Sequence, residues 1–310
     1  MTKLKSRHIL GISHLDREEI SFILNTAESL KEILERPIKK VPPLRGRTIV
    51  NLFFEPSTRT KLSFELAAKR LSADTVGISA STSSVVKGET LIDTARNIEA
   101  MRPDIIVMRH SMSGAPHLLA RYINSAVINA GDGTNEHPSQ ALLDLMSVKE
   151  HFGRIEGLNI TIIGDIAHSR VAHSDILAFS KMGAKVTVCG PATMMPPGIE
   201  TLGCRALYDL RQAVRDADVV MALRIQKERQ GMALFPSERE YARVFGLDAG
   251  IFSVIKESCV IMHPGPINRG VEMSPEVADS SRAIILDQVT NGVAVRMALF
   301  TLLLTDSREQ

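Results

Sequence analysis

Three features of the sequence predict an α/β protein made of two doubly wound domains with mainly parallel sheets. Short apolar, β-branched runs recur along the chain, and stretches long enough for crossover helices separate them. The second half repeats the plan of the first. At 310 residues and 44% hydrophobic content, the chain can bury a separate core in each of two domains.

In the first half the predicted strands are "TIVNLFF" (48–54), "DTVGIS" (74–79), "DIIVMR" (104–109) and "SAVINAG" (125–131). Their near-continuous apolar character suits strands covered on both faces. After the first strand, Phe64, Ala67, Ala68 and Leu71 recur at helical spacing. "HPSQALLDLMSVKEHFG" carries apolar Leu142, Leu145, Met146 and Val148, with Gly153 as a stop, and is expected to be the helix between domains. The second half offers "NITIIGD" (159–165), "AKVTVCG" (184–190), "ADVVMAL" (217–223) and "SCVIMHP" (258–264). "NGVAVRMALFTLLL" is apolar around most of its circumference, which suits a buried helix returning to the first domain. The expected domains are residues 1–137 with 286–310, and residues 138–285, the latter opening with the connecting helix 138–152.

Composition narrows the partners. Interspersed charges, 37 basic against 35 acidic, leave a net +2 and no field of one sign for nucleic acid or a membrane surface. Cys189, Cys204 and Cys259 are odd in number and lie far apart, so neither a disulfide framework nor a thiolate metal site is indicated. With no apolar run of signal or membrane-spanning length, a cytoplasmic protein acting on small molecules is expected.

The candidate site begins at "FFEPSTRTKLSFE" (53–65). Ser57, Thr58, Arg59 and Thr60 fall where a strand gives way to a helix, and a helix amino terminus with hydroxyls and a guanidinium makes a compact cradle for phosphate. A helix cap would use the same hydroxyls for structure alone. Open α/β sheets bind ligands at the carboxyl edge of their strands, and the other first-half strands end there in "MRHS", with Arg109, and "GDGTNEHPSQALLDL", with His137 and Gln140. Together these residues suit an anion bearing a polar carbonyl. "NITIIGDIAHSR" has the strand–turn–helix shape of a dinucleotide fold but lacks its glycine fingerprint. His168 and His173 flank Arg170 five residues apart, the wrong interval for a metal pair on one helical face.

These stretches, with "RIQKER" and "MHPGPINRG", resemble the motif set of the aspartate/ornithine carbamoyltransferase family, in order over residues 53–270, and within it the aspartate-specific catalytic chains. Glu55 stands where ornithine-specific members typically carry Lys, "HPGP" stands for their "HCLP", and "RIQ" replaces their "SMG" motif. The resemblance implies a carbamoyltransferase-like fold and a transfer of the carbamoyl group from carbamoyl phosphate to the α-amine of L-aspartate, a step of pyrimidine biosynthesis, with no metal or other cofactor. It implies that Ser57, Thr58, Arg59, Thr60, Arg109, His137, Gln140, Pro264 and Gly265, with Ser83 and Lys87, bind carbamoyl phosphate. Arg59, Thr60, Arg109 and His137 are the catalytic set among them, and Lys87, Arg170, Arg224 and Gln226 receive aspartate. It further implies a homotrimer whose sites borrow residues 79–97 from a neighbouring chain, with a regulatory chain or dihydroorotase as candidate further partners. The competing readings are an ornithine or other amino-acid carbamoyltransferase, a non-catalytic regulatory homologue and a nucleotide-binding module.

Overall fold

Nine strands form among the residues that the computed structural model describes, 4–79, 89–225 and 234–305, eight of them from the apolar runs. They are β1 (Thr48–Phe53), β2 (Asp74–Ser79), β3 (Ile105–His110), β4 (Ala126–Asp132), β5 (Asn159–Ile163), β6 (Lys185–Cys189), β7 (Cys204–Leu207), β8 (Val219–Ala222) and β9 (Val260–Met262). The helices among the described residues are α1 (Arg17–Glu35), α2 (Thr58–Arg70), α3 (Leu91–Ala100), α4 (Ala115–Ala120), α5 (Pro138–Phe152), α6 (Arg170–Lys181), α7 (Leu210–Val214), α8 (Glu238–Phe245), α9 (Ala249–Phe252), α10 (Pro275–Ala278) and α11 (Ile285–Thr305). The chain divides into two compact units, Met1–Met146 with Thr290–Gln310, and Ser147–Val289. These divisions fall inside α5 and α11, whereas the joints expected from sequence, at 137/138 and 285/286, lie at or beside the starts of the same helices.

In the first unit the sheet order is β2-β1-β3-β4 and every pairing is parallel. One face packs Val50, Leu52, Ile106, Met108 and Val127 against Ala95 and Ile98 of α3 and Leu119 of α4. The α2 positions Phe64, Ala67 and Ala68 are wholly buried. Phe64 meets Phe300 of α11 with ring centroids 5.8 Å apart, and complete burial of each ring is worth about 2 kcal/mol. The carboxyl end of the chain thus braces the helix that opens at Ser57.

The second unit holds a five-stranded parallel sheet ordered β7-β6-β5-β8-β9. Strand β7 was not expected from sequence. It is a four-residue edge strand with Arg205 exposed at its second position, too short and too polar to stand out from a loop. Asp218 staples the amino-terminal ends of three strands: its carboxylate accepts the Asn159 N–H at 2.8 Å and the Lys256 ammonium at 2.9 Å, and its carbonyl accepts the Val260 N–H. Cys189, Cys204 and Cys259 are buried and unpaired with one another. Burial pushes the thiols of Cys189 and Cys259 up to about 12 and that of Cys204 up to about 11, so all three stay protonated at neutral pH. No helix among the described residues is long and apolar enough to cross a membrane.

Candidate active site

In the first unit the strand order reverses between β1 and β3, and the carboxyl ends of those strands are joined by the Phe54 N–H donating to the Arg109 carbonyl at 2.9 Å. Such a switch point is where an open parallel sheet leaves a crevice for ligand. The chain leaves β1 through Glu55 and Pro56, and α2 then opens with Ser57 as its cap residue and Thr58, Arg59 and Thr60 as its first turn. Ser57 is extended, and its hydroxyl makes no capping hydrogen bond. The purely structural reading of that hydroxyl therefore lacks the bond it requires, while the first-turn amides of a helix have no intrahelical acceptor and point outward. Hydroxyls, amides and the exposed Arg59 share one helix end.

Arg109 enters from β3. The pairing of β3 with β4 shifts register between Met108 and His110, an irregularity of the kind that re-aims a side chain at a sheet edge. Its guanidinium donates to Glu55 Oε1 at 2.7 Å and to the Ala130 carbonyl at 3.3 Å. With side-chain exposures of 12% and 20%, the Arg109–Glu55 pair is weakly screened by solvent ions. Glu55 thus orients the guanidinium. His110 lies against Phe54 with ring centroids 4.9 Å apart and planes tilted by 59°, and its ring nitrogen Nδ1 accepts the Met112 N–H. Burial holds its pKa below the ordinary histidine value, so it is neutral at pH 7.

At the end of β4, Asp132 gathers the turn. Its buried carboxylate accepts from the Gly114 N–H at 2.7 Å, the Asn129 amide at 2.7 Å and the Glu136 N–H at 3.1 Å. Gly133 has φ +50, and a Cβ there would lie 2.7 Å from the Ser113 nitrogen, so the "GDG" turn admits no side chain at its second glycine. Glu136 is buried as well and accepts the Ile12 N–H at 2.6 Å and the Ser13 hydroxyl at 2.7 Å, tying the amino-terminal turn to the residue beside His137. His137 is 4% exposed, and its carbonyl accepts the Gln140 N–H to start α5. One turn on, the Gln140 amide nitrogen donates to both Asp144 oxygens, at 3.2 and 3.1 Å. A carboxylate only accepts, so it holds the nitrogen end of the amide and leaves the oxygen as the end that can receive a substrate N–H. The carboxylates Asp132, Glu136 and Asp144 were not assigned from sequence, although each lies within the motif around His137. Their signal was the density of acids in a stretch that also reads as buried.

The second unit repeats the arrangement. Its order reverses between β5 and β8, joined where the Leu223 N–H donates to the Ile163 carbonyl at 2.8 Å. From β5 the chain reaches Arg170, the first residue of α6, after a cap in which the Ser169 hydroxyl accepts the Ala172 N–H. Arg170 is only 2% exposed. His168 is turned to Asp165, 2.9 Å from its ring nitrogen, rather than toward a metal geometry. Arg224 follows β8, and β9 leads through His263 to Pro264 and Gly265. Gly265 has φ +65, in the left-handed region that glycine adopts without strain, and donates its N–H to His263 Nδ1 at 2.8 Å. Ser83, Lys87 and Gln226 lie outside the described residues. Among the described residues no three His, Cys, Asp or Glu side chains are grouped to hold a metal ion.

Two units, each a parallel sheet with alternating helices and strands, match the architecture of the carbamoyltransferase class. The family model described as the aspartate/ornithine carbamoyltransferase carbamoyl-P binding domain matches residues 7–150, and that of the Asp/Orn binding domain matches residues 156–303. The aspartate carbamoyltransferase catalytic subunit of Desulforapulum autotrophicum is 62% identical over 306 residues, covering 99% of this chain and 98% of that one. Among solved structures, aspartate transcarbamoylase from Trypanosoma cruzi, in complex with N-(phosphonacetyl)-L-aspartic acid, superposes with a TM-score of 0.88 at 31% identity over 96% of each chain. Ornithine carbamoyltransferase from Pyrococcus furiosus gives 0.86 at 30% identity, over 97% of this chain and 98% of that one. The chain belongs to the aspartate/ornithine carbamoyltransferase family.

Proposed function

We propose that the chain is the catalytic subunit of an aspartate carbamoyltransferase, transferring the carbamoyl group of carbamoyl phosphate to the α-amine of L-aspartate to give N-carbamoyl-L-aspartate and phosphate in pyrimidine biosynthesis. The observation that carries the site reading is the α2 terminus: Ser57 occupies the cap position with its hydroxyl uncommitted to capping, beside an oriented Arg109. Ser57, Thr58, Arg59 and Thr60 take the phosphate. Arg109 exchanges Glu55 for the substrate and bridges phosphate and carbonyl. Thr60, Arg109 and His137 donate to the carbonyl oxygen as the amine adds, where preorganised donors are commonly worth about 10²- to 10³-fold each in rate. Gln140 accepts from the carbamoyl N–H₂ together with carbonyls at Pro264 and Gly265. As the tetrahedral intermediate collapses, phosphate leaves with the bonding electron pair and takes the proton of the attacking amine. Arg170 and Arg224, with Gln226, receive the aspartate carboxylates. Ser83 and Lys87 complete the site from a neighbouring chain of a cytoplasmic homotrimer, to which a regulatory chain or dihydroorotase can join.

Aspartate is favoured over ornithine by Arg224, which suits a dicarboxylate acceptor rather than a diamine, by Glu55, which stands where ornithine-specific members typically carry Lys, and by the 62% identity to a relative named for aspartate. Purified protein supplied with carbamoyl phosphate and equal aspartate and ornithine should form carbamoyl-aspartate. Citrulline as the main product would reverse the substrate assignment, and absence of both products would favour a non-catalytic homologue.

A further inference from the structure

We propose that Glu272 is a positioning residue for the amino-acid substrate, its carboxylate fixing the backbone next to Arg224 against the loop that follows Pro264 and Gly265. The inference rests on the aspartate reading above. Glu272 lies between β9 and α10 and is 1% exposed. Its Oε1 accepts the Ile225 N–H at 2.9 Å and the Asn268 amide at 2.7 Å, while Oε2 accepts the Asn268 N–H at 2.8 Å. One carboxylate thereby joins the residue immediately after Arg224 to the residue two beyond Pro266. Its own carbonyl accepts the Leu247 N–H at 2.9 Å, so the chain is also held where it returns after α8.

The chemistry asks for a carboxylate. Three N–H donors converge on two oxygens, and a glutamine would turn its N–H₂ toward one of them. Burial nevertheless raises the Glu272 pKa, with the donated hydrogen bonds only partly offsetting it. A buried carboxylate on which three N–H donors converge, beside two segments proposed to touch substrate, is the pattern of a group retained for geometry. Shifting the Ile225 amide re-aims the Arg224 backbone, and bidentate guanidinium–carboxylate pairing is sensitive to such a shift.

Glu272→Gln should raise the KM for aspartate about tenfold or more, the scale of one misplaced charge-assisted contact, while the KM for carbamoyl phosphate changes less than about twofold. Glu272→Asp, which keeps the charge but shortens the reach, should fall between the two. Thermal melting of both variants is recorded alongside. An unchanged aspartate KM in folded Glu272→Gln protein, or equal rises in both KM values, overturns the proposal. Should Glu272→Gln not fold, Glu272→Asp is judged by the same split; if neither folds, the residue is structural and the proposal fails. Failure of the aspartate reading is separately visible, because the wild-type protein would then form no carbamoyl-aspartate.

Discussion

His137 is buried where β4 gives way to α5, and the helix it starts holds its backbone. Replacing it by Ala removes the proposed donor to the substrate carbonyl and leaves Ser57–Thr60 and Arg109 in place. The expected result is a kcat lowered about 10²-fold or more with carbamoyl phosphate still bound, read from steady-state kinetics and calorimetric titration. A near-normal kcat would remove His137 from the mechanism. Asp144→Asn tests the support of Gln140. An asparagine can meet the Gln140 nitrogen with its own N–H₂, so the KM for carbamoyl phosphate should rise about tenfold, the scale of an unmade buried hydrogen bond. The same change removes a negative charge from Arg296, which is buried, whose pKa burial lowers to about 10 with Asp144 working against that shift, and which remains cationic at neutral pH. Stability should therefore also fall in urea unfolding, because a buried cation loses part of the negative charge that compensates it. An unchanged KM and an unchanged unfolding midpoint would leave Asp144 with neither role.

At the scale of elements, the staple at Asp218 makes a pH prediction. Burial alone would raise the Asp218 pKa, but the Asn159 N–H and the Lys256 ammonium outweigh it and hold the carboxyl below its ordinary value. A carboxyl depressed in the folded state contributes stability above its unfolded pKa, about 3.9, and loses it as pH falls through the folded value. Asp218→Asn should cost about 1–2 kcal/mol at pH 7, the scale of a charge-assisted hydrogen bond, and the gap should close below about pH 4. A gap constant from pH 3 to 7 in urea unfolding would show that the carboxylate is not what joins these strands. Elements were legible to the degree that their residues declared burial. The runs 48–54, 74–79, 104–109 and 125–131 fall within one residue of β1 to β4, because strands covered on both faces are almost wholly apolar. Strand β7 escaped because it is an edge with Arg205 exposed, and β8 begins two residues later than expected because Asp218 serves the staple. The cations and hydroxyls of the site were legible as residues that a core would not choose. The acids that brace the turn around His137 and Gln140 were not: the partner that lets Glu136 be buried comes from 124 residues away at Ile12, and Asp144 bonds Gln140 from within a stretch that reads as an apolar helix.

For the whole molecule, the proposed trimer with shared sites requires that no isolated chain be fully competent. Lys87→Ala and Arg59→Ala proteins should each be nearly inactive, yet mixing them under conditions of subunit exchange should build some sites with an intact Arg59 from one chain and Lys87 from the next. Recovery should be partial, because closed cyclic symmetry also pairs two defects in other interfaces of the same hybrid. If labelled chains exchange and activity does not exceed the sum of the two variants, each site lies within one chain. Within the chain, the first unit is discontinuous, assembled from residues up to Met146 and from Thr290 onward. On a ribosome this order has a consequence. Phe300, which packs on Phe64, and Arg296, which donates to the Ser63 hydroxyl at 2.8 Å, emerge only after all of the second unit has been made. The helix that presents Ser57 to Thr60 therefore waits for α11 to complete its core, and a nascent chain that stalls before α11 has emerged leaves the apolar face around Phe64 unfilled.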